Sequence, residues 1–255
     1  MSSLHGWRVV QYDTVDSTQR IAASLVSMGI PGRTAVIAAR QTAGVGRKGD
    51  PWHDLPGASL LCTAILRPPW PRPAPIACYG MTAALAVIEA IDDVSGGKAA
   101  IKWPNDVTIN GRKVAGILGD ATWMGQELQA LRLGVGVNVR GTREAFIANG
   151  LPDATSIEAE TGQRATVEDT LRAYLAHLAV WDDLLTGGDR RGVVEAWRAA
   201  VATVGQAVRV TLTNGRELGG IVAGVAESGD LLLDLPGERA LLSLAASAMR
   251  SLRSL

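Results

Sequence analysis

A glycine-rich, basic loop contains the residues of this sequence whose types and spacing most directly suggest chemistry. It spans residues 41–53, reads QTAGVGRKGDPWH and follows a β-branched run at 34–37. Its glycines at 44, 46 and 49 match the spacing G-x-G-x-x-G of dinucleotide-binding turns. That interpretation requires a helix next, and the two prolines and the glycine within residues 50–57 leave no room for one. The loop is therefore not predicted to be a Rossmann turn.

The same loop is suited to binding an anion. Its glycines allow the backbone to approach a ligand closely, and Arg47 and Lys48 supply two positive charges. A solvent-exposed surface turn is the alternative, because stretches of glycine and lysine often form one. The motifs in the rest of the chain decide between the two interpretations.

Composition restricts the classes of partner. The 255 residues include 25 Lys and Arg against 25 Asp and Glu, so no basic excess indicates a nucleic-acid-binding protein. A small molecule or a protein is the expected substrate. Cys62, Cys78 and three scattered histidines show none of the spacings of metal ligands, so we expect no structural metal and two buried thiols in a reducing compartment.

The N-terminal sequence predicts no export or membrane signal. Residues 1–7 lack a cationic start followed by an apolar segment, and no apolar run in the chain approaches the roughly 20 residues that cross a bilayer. We therefore expect a soluble, cytoplasmic protein without a membrane partner. Residues 1–12 also leave no space for a helix-turn-helix before the first strand.

The elements around the loop follow from hydrophobic periodicity. The strands predicted before residue 70 span 8–12, 34–39 and 57–66, and a helix is predicted at 76–91. Between the first two strands, Asp16 or Ser17 is a natural N-cap for a helix whose apolar face would hold Ile21, Leu25 and Met28.

The middle of the chain carries the clearest turn signals. Residues 99–103 are predicted to run extended into a turn at Pro104. Strands at 107–109 and 113–118 are joined by Asn110-Gly111, a strong signal for a hairpin. The next strand, 128–139, has Gly134 and Gly136 on one face, which predicts that another group packs against bare backbone there.

The C-terminal part changes from helical to strand periodicity. Two helices are predicted, near 167–181 and 193–201, and short strands with tight turns follow from residue 205. We therefore predict two domains, residues 1–204 and 205–255. The predicted fold class is α+β (α/β), with a mixed, mostly antiparallel sheet backed by helices and a small C-terminal β module.

Four motifs in this order resemble the biotin protein ligase family. They are DSTQ at 16–19, the loop at 41–52, KWPND at 102–106 and GVGVNV at 134–139. KWPND followed by a hairpin ending in KVAGIL is the most specific of them, and the resemblance covers nearly the whole chain. It implies a monofunctional type that lacks the N-terminal DNA-binding domain. It also implies the class II synthetase-like biotin/lipoate ligase fold with an SH3-like β-barrel at the C-terminus.

The resemblance implies a two-step, AMP-forming reaction. Biotin and ATP, with Mg²⁺ borne by the nucleotide, would give biotinyl-5′-AMP and pyrophosphate, and the biotinyl group would pass to a lysine of a biotin carboxyl carrier protein or domain. Neither nucleic acid nor membrane would be a partner, and the protein would be a monomer or weak homodimer. Independently, joining a carboxylate to an α-phosphate brings two anions together at a cost of about 4 kcal/mol at 4 Å and a dielectric near 20, so fixed cations are needed.

The resemblance and this chemistry together give the expected site residues. Lys102 and Arg47 are the expected catalytic cations. The expected biotin-binding residues are Ser17, Thr18, Gln19, Gln41, Gly44, Val45, Gly46, Arg47, Lys102, Gly116 and Gly136. The expected ATP-binding residues are Arg47, Lys48, Trp52, Asn105, Lys113 and Asn138, with Trp52 beside the adenine and Asn138 at its edge.

The loop departs from the family pattern at two charged positions. The family commonly reads Gly-Arg-Gly-Arg where this chain has Val45 before Gly46, and Asp50 stands where a basic residue is usual. Two positive charges are thereby missing. Gln19 replaces a common asparagine and keeps an amide on a side chain longer by one methylene.

Three other functions are consistent with parts of this sequence pattern. A lipoate or octanoate protein ligase shares the fold and a lysine at a strand end. A biotin-responsive DNA-binding repressor is disfavoured by the zero net charge and the short N-terminus. A non-catalytic biotin-binding regulator would be consistent with Val45 and Asp50.

Overall fold

The computed structural model describes residues 2–69 and 75–255. An eight-stranded sheet contains the strands that precede and follow the glycine-rich loop. Its strands are β1 Ser2–Leu4, β2 Trp7–Val15, β3 Thr34–Gln41, β4 Ser59–Leu66, β5 Ala99–Lys102, β6 Asp106–Ile109, β7 Arg112–Met124 and β8 Glu127–Asn138. Their order across the sheet is β1-β2-β3-β4-β8-β7-β6-β5. β2 and β3 pair in parallel, whereas the other neighbouring strands pair antiparallel.

Helices cover both faces of this sheet. They are α1 Thr18–Ser27, α2 Ile76–Ser95, α3 Arg143–Ala148, α4 Ile157–Thr161, α5 Val167–Thr186 and α6 Arg190–Ala199. Since successive strand residues point to opposite faces, β4 can be buried along its whole length: Leu60 and Cys62 belong to the large core with α2 and α5, and Ile65 packs with Ala22 and Val26 of α1. In the described segments, no helix is both long and apolar enough to cross a membrane.

A second, five-stranded antiparallel sheet follows α6. Its strands are β9 Ala207–Leu212, β10 Glu217–Val225, β11 Leu231–Asp234, β12 Leu242–Leu244 and β13 Met249–Ser254, in the order β12-β11-β10-β9-β13. We call these strands and their connections the C-terminal module, residues 205–255. The predicted boundary at 204/205 falls in the connection between α6 and β9 and stays a prediction.

The predicted fold class is confirmed, and several local predictions need correction. The first strand extends to Val15 because it pairs in parallel with β3 up to Gln41. Ser17 is the N-cap of α1, as predicted. Ile21 and Leu25 are partly buried and pack against the core that contains Ala22 and Val26, whereas Met28 is 72% exposed and does not belong to the buried face. The short elements β1, α3, α4 and β12 and the last strand, β13, were not predicted.

The Asn110-Gly111 hairpin is confirmed, and an ion-pair network attaches it to α4. Both turn residues have positive φ, 51° and 78°, as a two-residue turn between twisted strands requires. The Glu160 carboxylate accepts hydrogen bonds from Arg112 Nε at 2.7 Å, from Asn110 Nδ2 at 2.8 Å and from Thr155 Oγ1 at 2.7 Å. These donors hold the pKa of Glu160 at about 2, with Arg112 as the largest cause. The network fixes the strand that carries Lys113.

Glu160 is expected to make stability sensitive to acid. The pKa of Glu160 in the folded state lies below the ordinary value of 4.5. Its contribution to the free energy of unfolding is therefore fully present above about pH 4.5 and is lost as the pH falls towards about 2. Glu160→Gln should therefore be less stable than the parent at pH 7, and the difference should shrink between these two values. Urea unfolding at a series of pH values measures the stability difference between parent and variant. Glu158→Gln, on the same helix, is the control. A stability difference that stays constant from pH 7 to pH 2 would contradict this role.

Candidate functional site

A cavity of about 310 Å³ opens beside the glycine-rich loop. It lies where the N-terminus of α1, the end of β3, the β5–β6 turn and the middle of β7 and β8 come together, and residues of the C-terminal module complete its wall. It is lined by Ser17, Thr18, Gln19, Gln41, Val45, Gly46, Arg47, Lys48, Asp50, Pro51, Trp52, Cys62, Lys102, Trp103, Pro104, Asn105, Asp106, Lys113, Gly116, Ile117, Leu118, Gly134, Val135, Gly136, Ala246, Met249, Arg250, Ser251 and Leu252.

One end of the cavity is a neutral, hydrogen-bonding corner. The parallel pairing of β2 with β3 places Gln41 opposite Val15, and therefore beside the first residues of α1. Gln41 Oε1 accepts from the Thr18 backbone N–H at 2.8 Å and from Thr18 Oγ1 at 3.1 Å, and Thr63 Oγ1 donates to Thr18 Oγ1 at 2.9 Å. Because each side chain is held by the next, the corner is preorganised for a neutral ligand that both donates and accepts hydrogen bonds.

Gln19 occupies the space above Gly134. Its Nε2 donates to the Leu118 carbonyl at 2.9 Å, and a Cβ at position 134 would lie only 2.6 Å from that nitrogen. Gln19 Oε1 is buried and has no hydrogen-bond partner among the described residues. The amide therefore forms part of the cavity wall with one acceptor unused.

The Trp52 indole lies on a flat platform of two glycines. Gly116 and Gly136 are paired across β7 and β8, and Cβ atoms at these positions would lie 3.1 Å from Trp52 Cζ3 and 2.4 Å from Cε2. The Lys113 Nζ lies 5.6 Å from the ring centroid, within reach of a cation–π contact. The glycine face predicted for β8 is thus explained by the side chains of Gln19 and Trp52.

The glycine-rich loop is a closed, hydrogen-bonded turn in this structure. Trp52 N–H donates to the Gly44 carbonyl at 2.9 Å, and Gly46 N–H donates to the Asp50 carbonyl at 2.7 Å. Between them residues 47–49 form a single 3₁₀ turn rather than a longer helix, in agreement with the exclusion of a Rossmann turn.

Cations concentrate at the other end of the cavity. Arg47 donates to Asn105 Oδ1 and to the Ala246 carbonyl, both at 3.0 Å, and Asn105 is itself fixed by donating to the Ile117 carbonyl. Burial lowers the pKa of Arg47, and the Asp106 carboxylate partly offsets this. Lys113 Nζ forms an ion pair with Asp106 Oδ1 at 2.7 Å. Lys102 is the last residue of β5 and also lines the cavity. This end suits a polyanion.

The KWPND motif is fixed to the C-terminal half of the chain by its tryptophan. The Trp103 backbone N–H donates to Thr203 Oγ1 at 3.0 Å, and its indole N–H donates to the Gly229 carbonyl at 2.9 Å. Trp103 is 2% exposed. Its position next to Lys102 therefore ties the placement of that lysine to the C-terminal module.

The structure brings fourteen of the sixteen predicted site residues to this cavity, and two lie elsewhere. Gly44 lines a second, smaller cavity of about 200 Å³. Asn138 is 3% exposed, and its amide donates to the Thr155 carbonyl and accepts from Ser59 Oγ. These partners hold the amide within the protein interior, and Asn138 does not line the cavity. Its role at the adenine edge stays a prediction.

Sequence reasoning missed the contribution of residues 246–252, since short strands with tight turns carry no signal of what they pack against. It also did not assign Asp106, although KWPND contains it. Among the residues that the structure describes, no three His, Cys, Asp or Glu side chains are grouped as metal ligands would be.

Comparison with known proteins identifies relatives over nearly the full chain. A family model described as "Biotin/lipoate A/B protein ligase family" matches residues 12–138, and one described as "Biotin protein ligase C terminal domain" matches residues 203–247. The chain is 36% identical to a biotin–acetyl-CoA-carboxylase ligase of Paracoccus denitrificans, across 88% of this chain and 93% of that protein. It is 30% identical to the ligase of the same description from Mycobacterium tuberculosis, across 93% and 88%.

A solved structure shares the fold. The biotin protein ligase from Aquifex aeolicus in complex with biotin and ATP aligns with a TM-score of 0.80 at 24% identity, covering 97% of this chain and 99% of that one.

Proposed function

This chain belongs to the biotin protein ligase family, and we propose that the cavity beside the glycine-rich loop joins biotin to ATP and then transfers biotin to a carrier lysine. In the first step a biotin carboxylate oxygen attacks the α-phosphorus of ATP and pyrophosphate leaves. In the second step the lysine amine attacks the acyl carbon, AMP leaves with the bonding electrons, and the amine loses a proton. The observation that carries the proposal is one cavity with a neutral hydrogen-bonding corner at one end and cations at the other.

The neutral corner matches the ureido ring of biotin. That ring presents one carbonyl acceptor and two N–H donors and carries no charge, so it needs partners of both kinds. The Thr18 hydroxyl, the Gln41 amide and the Ser17 hydroxyl at the N-terminus of α1 are such partners. The unused Gln19 Oε1 is a further acceptor for a ligand N–H.

The cationic end matches the groups that react. Lys102 and Arg47 would neutralise the carboxylate and the α-phosphate as they approach, and Lys48 and Lys113 line the same end. The indole of Trp52 offers a flat surface for the adenine. Magnesium would enter with ATP as part of the substrate.

Lipoate ligation is the nearest alternative, and the neutral corner distinguishes it. A dithiolane ring makes no strong hydrogen bonds, so binding it would leave the buried Gln19 Oε1, which has no partner among the described residues, without a ligand donor. A site that hydrogen-bonds its substrate discriminates strongly against an analogue that lacks those groups. The corner therefore favours biotin.

The test is to supply the purified protein with ATP and either labelled biotin or lipoate, and to follow acyl-AMP and pyrophosphate. We expect biotinyl-AMP with one pyrophosphate released per adenylate, and transfer when a biotin carboxyl carrier domain is added. Lipoyl-AMP in preference to biotinyl-AMP would overturn the choice of substrate, and binding of biotin without pyrophosphate release would overturn the enzymatic function.

A further inference from the structure

Thr63 places a hydroxyl in the middle of β4, a strand that is buried along its whole length. It is 0% exposed, lies opposite Gly134 of β8 and, unlike Thr18, does not line the cavity. Burying a hydroxyl costs free energy unless it is hydrogen-bonded, and valine would fill nearly the same space without that cost. The Thr63 hydroxyl donates to Thr18 Oγ1 at 2.9 Å. Its position is therefore explained by what this bond does to Thr18.

The hydrogen bonds of the neutral corner run in one direction. The Thr18 backbone N–H donates to Gln41 Oε1 at 2.8 Å, which fixes the oxygen of that amide towards α1. Because an amide oxygen only accepts, the Thr18 hydroxyl donates to it as well, at 3.1 Å. Thr18 Oγ1 in turn accepts from Thr63. A hydroxyl has one proton and two lone pairs, so Thr18 keeps one lone pair and no proton for a ligand.

The groups left for a ligand consequently have a defined polarity. Thr18 Oγ1 accepts, and so does Gln19 Oε1, which has no partner within the described part of the chain. Gln41 donates through Nε2, because two protein donors already reach its oxygen. Ser17 Oγ accepts from the Gln19 backbone N–H at 3.2 Å and has its own proton free to donate. Two acceptors and two kinds of donor match the two N–H groups and the carbonyl of a ureido ring.

We propose that Thr63 is a positioning residue whose hydroxyl holds Thr18 as an acceptor for a ureido N–H of biotin. This inference rests on the proposed function. Without the proton from Thr63, the Thr18 hydroxyl is free to turn its own proton into the cavity, where it would meet a ligand donor. Thr63 thus acts on the substrate through Thr18, from a place in the sheet that the ligand does not reach.

The test is calorimetric titration of the full-length protein with biotin, lipoate and ATP. Thr63→Val removes the hydroxyl and keeps the branched shape, so it should weaken biotin binding about fivefold, the scale of one net hydrogen bond. Thr63→Ser restores the hydroxyl and should recover most of that affinity. Both variants should bind ATP like the parent, because ATP would occupy the cationic end. In adenylation assays, Thr63→Val should raise the KM for biotin and leave kcat unchanged.

A double-mutant cycle with Thr18→Val tests whether Thr63 acts through Thr18. In that background the Thr18 hydroxyl is already absent, so Thr63→Val should cause no further loss of biotin affinity. Thr82→Val is the matched control. Thr82 is also 0% exposed, but its hydroxyl donates to the Tyr79 carbonyl within α2 and it does not line the cavity. This variant should bind biotin like the parent.

Parental biotin affinity of Thr63→Val would overturn the inference while leaving the proposed function intact. An equal loss for ATP, or a loss that persists in the Thr18→Val background, would also overturn it, because either result would show a general effect on the fold. A parent that binds lipoate in preference to biotin, or binds neither, would overturn the proposed function, and this inference with it.

Discussion

Replacing Lys102 by methionine is expected to lower the rate of biotinyl-AMP formation by about 1,000-fold, the upper range for removing one group that stabilises charge in a transition state. Methionine keeps an unbranched side chain of similar length, so the change mainly removes the ammonium. The loss should appear in kcat more than in the KM for biotin, because the two anions come closest in the transition state.

The geometry explains why Lys102 should matter more than its neighbours. Lys113 is paired with Asp106, and Arg47 is held by Asn105 and the Ala246 carbonyl. Lys102 makes neither an ion pair nor a side-chain hydrogen bond within the described segments. Its backbone is fixed by β5 and by the buried Trp103 that follows, so its charge is held at the site and free for a ligand.

Pyrophosphate release in the presence of biotin and ATP measures this effect, and Lys98→Met is the matched control. Lys98 is exposed just before β5 and does not line the cavity, so its variant should retain the parental rate. Adenylation by Lys102→Met within tenfold of the parent would show that Arg47 and the magnesium borne by ATP suffice for the chemistry.

Local chemistry made part of this site predictable. The Asn110-Gly111 turn was identified because only a few residue types tolerate positive φ at both turn positions. The two glycines at 134 and 136 correctly indicated that side chains pack on bare backbone, and these are Gln19 and Trp52. In each case the signal is the conformation or the size of a single residue.

Tertiary contacts determined what the sequence left open. The extension of β2 to Val15 depends on pairing with β3, and Asn138 is occupied by Ser59 and Thr155, which are distant from it in sequence. The hydrogen bond from Arg47 to the Ala246 carbonyl joins residues 199 positions apart, and no sequence pattern within either segment predicts it. The participation of the C-terminal module could therefore be found only in the folded chain.

Replacing Gly136 by alanine is expected to lower kcat/KM for ATP by about 100-fold, the scale on which misplacing a binding group by about 1 Å acts. The new Cβ would lie 2.4 Å from two atoms of the Trp52 ring, and the ring is too rigid to bend away. The strand cannot move instead, because Gly136 is paired with Leu61 on one side and Gly116 on the other. The indole must therefore leave its platform.

Gly119→Ala separates this clash from the general cost of changing a glycine in the sheet. At Gly119 on β7 the nearest atom to an added Cβ is Leu133 Cδ2 at 3.8 Å, an ordinary contact, so this variant should keep the parental kcat/KM. A double-mutant cycle with Trp52→Ala then tests the cause. If displacement of the indole is responsible, Gly136→Ala should cost little once Trp52 is absent. An undiminished 100-fold loss in the Trp52→Ala background would show that the platform serves the ligand directly, without the tryptophan.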